Sequence, residues 1–560
     1  MLSDSTKLPM RATPLHSSVL LLLLGACLLA GPVHAQSDGA SRPAVSGTDA
    51  PESDPLVLTL NTAVRTALEQ NHDLQLAQYD VQEADAQVRE AWGSLYPALD
   101  LTGGYTRNLK TANPFAGSDV TSFFGGGGQT EWLAYNERQR LGGGTPISFE
   151  DFSGRQQDSI RAAGISLGTG SNPFGVDNEF RAGLQLTQTL YSKQAFASVK
   201  GSQQFKDVNR FARDRAVQTT TNEVVTAFYQ ALLAQERAEV RRQRVQRAQS
   251  TLQEVSQQVR RGVTPKAQRL GAEVELANAR TQMIEARNGA DLARDDLKRI
   301  IGLSAHRPIT LKGDLEDRQD DGLQQISLET LSLSRAADRA IENRPDLQRA
   351  RLNVELRDIQ KEASRAEFFP RVEAVANFNY TGRVPDDRSR VATTNPQNPT
   401  DPFFFQEQQR GFFSDDFWNP SLSVGLQLTW NIFNGFQSSS RLQQAEIQRQ
   451  RAKTQLQQLR EAVTVEVRRA VRNLETARER IAAQETTVRR AEQNYDHVSS
   501  RVDEGVARPI ELREASDQLD QSRLNYLQAV YDYLVARSDL ETALGQPLTP
   551  TSESYLMTRR

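Results

Sequence analysis

The chain has 560 residues, enough for several ordinary domains or one very elongated one. Its formal net charge is −3 with 24% charged residues, a balance that leaves no basic footprint for nucleic acid. A mean hydropathy of −0.58 excludes a bundle of membrane-spanning helices.

The N-terminus stands apart. Residues 19–30 read VLLLLLGACLLA behind Lys7 and Arg11, and Val33-His34-Ala35 offers small residues at the −3 and −1 positions of a cleavage site. Residues 1–35 are therefore expected to be a secretory signal peptide cut after Ala35. The apolar run is too short to span a bilayer. Leu24-Gly25-Ala26-Cys27 loosely resembles a bacterial lipobox, an alternative in which Cys27 carries lipid; the apolar LLAGPVHA that follows suits a longer signal better. Cleavage after Ala35 leaves no cysteine, and hence no disulfide, thiol chemistry or Cys-ligated metal. Residues 36–57, rich in Ser, Pro, Gly and Asp, read as a flexible leader.

From residue 58 one plan is written twice. GLQLTQTLYSK at 183–193 has a near twin in GLQLTWNIFNG at 425–435. Asp73-Leu74-Gln75 recurs as Asp346-Leu347-Gln348, Tyr96-Pro97 as Phe369-Pro370, Gly262-Val263 as Gly505-Val506, and Gly302 as Gly545. This predicts two structural repeats, 58–302 and 326–545, with a connector at 303–325 and a tail at 546–560. Each repeat reads as a helix (62–95; 329–368) ending before a proline, a strand, a polar loop, a second strand, and a long helical hairpin (about 195–301; about 437–544).

The strands are expected at about 98–108, 180–191, 371–381 and 421–433. In the last, Leu422, Val424, Leu426, Leu428, Trp430 and Ile432 alternate with Ser421, Ser423, Gly425, Gln427, Thr429 and Asn431. The others alternate likewise, as in Leu99, Leu101 and Tyr105 against Asp100, Thr102 and Thr106. This is the length and pattern of a transmembrane β-strand, apolar to lipid and polar to lumen. Four strands cannot close a barrel, and an open edge in lipid would strand its amides without partners. If these strands span a membrane, several chains must therefore pool them. The intervening loops, 107–179 and 382–419, mix glycine runs with Phe and Trp and are expected to face outward.

In the hairpins, Val217, Val224, Ala231, Ala238, Val245, Leu252 and Val259 recur every seven residues, as do Val467, Leu474, Ile481, Val488, Tyr495 and Val502. The returning helices carry alanine rows, Ala272, Ala279, Ala286, Ala293 and Ala515, Ala529, Ala536, Ala543. Sustained heptads predict coiled-coil packing. A helix over 195–261 would be about 100 Å long, so it must run away from the membrane.

No catalytic, cofactor-binding or metal site stands out. His72, His306 and His497 are dispersed, and there is no GxSxG, P-loop or HExxH. The glycine runs 125–128 and 142–144 read as flexible loop. No enzymatic activity is expected.

The repeats, the Tyr-Pro and Phe-Pro entries to the strands, the GLQLT strands and the Gly-Val turns together resemble the outer-membrane efflux family typified by TolC, over about residues 58–545. The resemblance implies an α+β membrane protein. Its homotrimer would pool four transmembrane strands per chain into one twelve-stranded barrel in outer-membrane lipid. A periplasmic α-helical coiled-coil barrel would continue it. It implies a passive exit duct of a tripartite efflux pump or type I secretion system, gated at the periplasmic tip and joined through a periplasmic adaptor to an inner-membrane transporter. It also implies an acidic aperture ring; the family's two aspartates align with Glu511 and Glu514. The tips that meet an adaptor would be Gly262 and Val263 in one turn and Gly505 and Val506 in the other. The alternative reading is a secreted periplasmic coiled-coil scaffold without a pore. Few residues report on cargo; the lack of Met or His clusters weighs against a metal-specialised channel.

Overall fold

The computed structural model describes residues 55–110, 127–164, 176–313, 315, 333–504 and 506–546. The expected signal peptide, Cys27, nearly all of the leader, most of the connector, Gly505 and the tail beyond Gln546 lie outside the described residues. The chain divides into Met1–Leu56 and Val57–Arg560, and the description that follows concerns the second unit.

The first half runs β1 (Leu56–Leu58), α1 (Leu60–Gln70), α2 (His72–Gly93), β2 (Ala98–Arg107), α3 (Gly127–Leu141), α4 (Phe149–Ala162), β3 (Asn178–Tyr191), α5 (Lys193–Arg260), α6 (Lys266–Ile301) and β4 (Ile309–Leu311). The second runs α7 (Leu333–Asn343), α8 (Pro345–Ala366), β5 (Arg371–Val384), β6 (Ser389–Ala392), β7 (Gln406–Gln409), β8 (Trp418–Thr429), α9 (Gln437–Asp503) and α10 (Pro509–Leu544). β1 pairs with β4 and β6 with β7, while β2-β3-β5-β8 form one antiparallel sheet.

The single helix expected at the head of each repeat is two. Asn71 sits in extended backbone between α1 and α2, and its side-chain oxygen accepts from Leu74 N–H at 3.0 Å, capping the second helix. Arg344 breaks the second repeat at the matching place, because the residue before a proline is driven out of the helical region. Both breaks meet the end of a returning helix. Asn71 Nδ2 donates to the Ile300 carbonyl at 2.7 Å, and Arg344 Nη1 to the Ala543 carbonyl at 3.2 Å. The returning helices stop at Gly302 (φ 80°) and Gly545 (φ 74°), in the left-handed conformation that glycine adopts at a helix end. A Cβ on Gly302 would stand 2.3 Å from the Gln70 carbonyl oxygen, so this contact requires glycine twice over.

The strand expected at 421–433 starts earlier and stops at Thr429. Thr429 pairs with Arg371, the first residue of β5, and Pro370 before it has no N–H to extend the ladder. Trp430 and Ile432 therefore leave the sheet. Gly435 and Phe436 then both take positive φ and turn the chain into α9. The other strands run 98–107, 178–191 and 371–384.

The hairpins are continuous helices of 68 and 36 residues in the first half and 67 and 36 in the second. At 1.5 Å per residue the longest is about 100 Å. Their heptad rows form the core: Val224, Ala227, Ala231 and Val255 on α5, Val467, Ala470, Leu474, Ala477 and Ile481 on α9, and Ala515, Ala529, Ala536 and Ala543 on α10 are buried. None of the helices among the described residues is long and apolar enough to cross a membrane.

The first long loop is not merely glycine-rich coil. Gly127 and Gly128 lie in α3, and Gly142–Gly144 turn the chain toward α4.

Candidate functional site

The four-stranded sheet sorts its side chains by register. On one face Leu101, Leu184, Phe378 and Leu422 stand in a row across the strands. Leu99, Leu186, Ala376 and Val424 form the next row, and Tyr105, Phe180, Gly382 and Trp418 close that face at one end. On the opposite face the rows are Asp100, Gln185, Asn377, Ser423 and Thr102, Gly183, Asn379, Ser421. Period-2 alternation in four strands thus adds up to a wall with one apolar and one polar side. Nothing among the described residues covers the apolar side of β8: Leu422, Val424 and Leu426 are 73%, 77% and 75% exposed. Among the described residues, β2 and β8 are the unpaired edges of this sheet.

Aromatic rings gather at both ends of the apolar face. At the loop end Trp418 stacks on Tyr380 (5.1 Å) and Phe180 (5.7 Å), with Phe412 and Phe413 against it. At the helix end Trp430 Nε1 donates to the Phe368 carbonyl at 3.1 Å, and Lys193 lies 3.8 Å over the Phe369 ring. Tyr and Trp are suited to such ends because one part of the ring is apolar and another reaches a polar partner.

At the far end of the hairpins, α5 turns into α6 through Gly262 (φ 76°), and Val263 N–H donates back to the Gln258 carbonyl at 3.0 Å. In the second turn Val506 N–H donates to the Arg501 carbonyl at 2.8 Å. Val263 is 75% and Val506 68% exposed, so both turns present an apolar residue outward. Glu511 and Glu514 lie in the first turns of α10. Glu511 accepts from the Arg508 backbone N–H and guanidinium, both at 3.3 Å, and these bonds hold its carboxyl below the usual range. Glu514 is exposed, with no ion pair among the described residues. Gln268 and Gly271, their first-repeat counterparts, line a cavity of ≈ 380 Å³ between the two hairpins.

That seam holds residues that heptad counting passed over. Arg244 reaches Glu275 at 2.8 Å and Asp517 at 2.7 Å, joining the two hairpins. Arg247 pairs with Asp520 and donates to Ser516 Oγ at 3.2 Å. Arg523 bonds Gln243 at 3.2 Å and Glu492 at 2.8 Å. Asp520 is buried, one of its oxygens is without a partner, and burial raises its pKa against the pull of Arg247. The signal was in the sequence as charge: RRQRVQR on α5 faces a run of acids on α10.

The profile of the outer membrane efflux protein family matches residues 155–303 and 336–546. The alkaline protease secretion protein AprF of Pseudomonas aeruginosa is 26% identical over 363 residues, covering 65% of this chain and 69% of AprF. The CmeC outer membrane channel of Campylobacter jejuni superposes with a TM-score of 0.62 at 16% identity, covering 88% of each chain. The outer membrane protein VceC of Vibrio cholerae superposes at 0.60 and 15% identity, covering 88% of this chain and 97% of VceC. The family match spans β3, β5, β8 and both long hairpins. The chain belongs to the outer membrane efflux protein family, and the outer membrane is its location.

Proposed function

We propose that three copies of this chain join their sheets edge to edge, β8 of one against β2 of the next, into a single twelve-stranded outer-membrane barrel. The hairpins continue it as a periplasmic tunnel, and the whole serves as a passive exit duct. The observation that carries this reading is the bare apolar face of an open sheet. In lipid that face is satisfied, and only closure with other copies satisfies the edge amides. A soluble scaffold leaves both costs unmet. The returning helix α6 supports assembly: Leu270, Val274, Ile284 and Leu292 are exposed along it at near-heptad spacing, as a further coiled-coil seam requires.

In this reading the tip is the gate. Three copies of Glu511 and Glu514 ring a narrow opening that favours cations. Gly262, Val263, Gly505 and Val506 meet a periplasmic adaptor, which connects the duct to an inner-membrane transporter. The transporter selects the cargo; AprF is named for protease secretion, which makes protein export by a type I system the first cargo to test.

The deciding experiment is gel mobility of the purified outer-membrane fraction, unboiled against boiled, together with single-channel recording. An SDS-resistant trimer with a cation-selective, mostly closed pore is the expected result. A water-soluble species without a pore would return the chain to the scaffold reading.

A further inference from the structure

Residues 127–164, between β2 and β3, form a folded object. α3 and α4 pack through Trp132 on Phe149 (5.7 Å) and Tyr135 on Phe152 (5.6 Å). Asn136 fixes the turn, donating to the Ile147 carbonyl at 2.8 Å and accepting from its N–H at 2.9 Å. Trp132 Nε1 donates to the same carbonyl at 2.8 Å.

This helical hairpin docks on the other repeat's loop. Phe403, between β6 and β7, lies 5.4 Å from Tyr135 and 5.2 Å from Phe152, and Gln156 Nε2 donates to the Pro402 carbonyl at 3.2 Å. Phe152 is fully buried in the process (0% exposed), although the rest of α3 and α4 is mostly exposed. The roots of the two loops are tied as well: Arg107 pairs with Asp386 at 2.8 Å, and Asn178 Nδ2 donates to Asp386 at 2.9 Å. The strap is therefore fastened at its base by charge and at its crown by three rings.

Its surface says where it lies. α3 and α4 carry Glu131, Glu137, Arg138, Arg140, Asp158 and Arg161, a polar coat unsuited to lipid. The apolar side at the sheet's loop end is already occupied by Phe412, Phe413 and Trp418. The strap therefore belongs to the aqueous side of the rim.

We propose that residues 127–164, latched on Phe403, form an outer cap that narrows the external mouth of the duct, a second restriction at the opposite end from the periplasmic tip. The cap rests on the barrel reading above, since only a pore has a mouth. Its hold on the second repeat's loop is a small aromatic contact, the kind of local contact that opens at far lower cost than the whole fold. Release of Phe403 frees the rim without disturbing a single strand.

The test uses intact cells and single cysteines placed on the sheet, with the native chain as the unlabelled control. Ser423→Cys lies on the polar face and Val424→Cys beside it on the apolar face. A small, membrane-impermeant maleimide added outside is expected to label Ser423→Cys and to miss Val424→Cys. Equal labelling of the two positions would sink the barrel reading itself. A bulky polymer-linked maleimide is then expected to miss Ser423→Cys in the otherwise native chain. Phe403→Ala, or replacement of 127–164 by a short Gly-Ser segment, abolishes that protection, with trimer mobility on gels checking assembly in each. If the bulky reagent reacts equally with all three chains while the small one still distinguishes the two faces, the duct stands and the cap is wrong.

Discussion

Arg344 and Ala543 are joined by a hydrogen bond of 3.2 Å, and the same bond is made in the other repeat between Asn71 and Ile300 at 2.7 Å. An arginine and an asparagine thus do one job: each donates from a helix break to a carbonyl at the end of the returning helix, where no intrahelical partner exists. Arg344 does more. It is 2% exposed, bonds Asp346 at 2.7 Å and pairs with Glu466 at 2.9 Å. Burial opposes ionisation of Asp346, but the Arg344 bond and charge prevail and hold its carboxyl below the usual range. Arg344→Ala takes the ion pair from Glu466 and leaves Asp346 only Arg215 at 3.8 Å, and is expected to cost about 3 kcal/mol, read as a lower thermal unfolding temperature of the protein in detergent. Asn71→Ala, which strands no charge, is expected to cost about 1 kcal/mol.

Gly302→Ala tests the other side of the same joint. The added methyl meets the Gln70 carbonyl at 2.3 Å in a backbone of positive φ, so destabilisation exceeds about 1 kcal/mol. Gly425→Ala is the control, because a Cβ there meets nothing within 4 Å. Equal unfolding temperatures for the two variants would remove the joint from the account.

The two faces of β8 are expected to respond oppositely to charge. Val424→Arg places a guanidinium on the face proposed to meet lipid and is expected to cost about 2–4 kcal/mol, the range for a charge at mid-membrane. Ser423→Arg, one residue away, leaves folding intact and changes ion selectivity. Measured yields of folded trimer in the outer membrane check the first, and bilayer recording the second.

At the tip, Gln at both Glu511 and Glu514 removes the charge while keeping an acceptor for Arg508. Cation selectivity is expected to fall. Unchanged selectivity would take these two residues out of the constriction. Glu511→Ala differs from Glu511→Gln by also loosening the first turn of α10, since the Arg508 N–H then loses its acceptor.

Acid sensitivity follows from Glu446. Hydrogen bonds from Lys361 (2.8 Å) and Gln450 (2.8 Å) bring its pKa down from 4.5 to about 2. A carboxyl depressed in the folded state contributes stability above its unfolded value and loses it as pH falls through its folded value. The Lys361–Glu446 link between α8 and α9 therefore weakens from pH 4.5 down to about 2. Glu446→Gln is expected to be less stable than the native chain at neutral pH and to converge with it across that window. Parallel curves would assign the acid response elsewhere.

Much of this architecture was legible because two periods are hard to counterfeit. Alternation at Leu422, Val424, Leu426 and Leu428 and sevenfold recurrence at Val467, Leu474 and Ile481 named the elements and their buried or bare faces. What escaped was local or long-range. The break at Asn71 rests on one side-chain bond inside an otherwise helical pattern, although Asn before His-Asp is an N-cap signal. The premature end of β8 depends on where its partner strand begins, which β8 itself does not encode. α3 lies between glycine runs that read as coil, α4 follows the second run, and both are held by Phe403 from the other repeat. The arginine–acid seam was hidden because periodicity was counted in apolar residues alone. Of the tip residues, Val263, Val506 and Glu514 are exposed in one chain, while Glu511 is occupied by Arg508.

The joint at Gly302 and Gly545 has a mechanical consequence. At Gly545 it clamps α5 near Gln218, whose amide donates to the Gly545 carbonyl at 2.9 Å. From there to Arg260, α5 runs about 60 Å to the turn, bound to α6 and α10 on the way by Arg244 and Arg247. A tilt of about 5° at the clamp swings that end by about 5 Å on the same geometry. In the duct proposed above, the hairpins act as a lever with this joint as fulcrum, and a change in bore at one end is set by stiffness at the other.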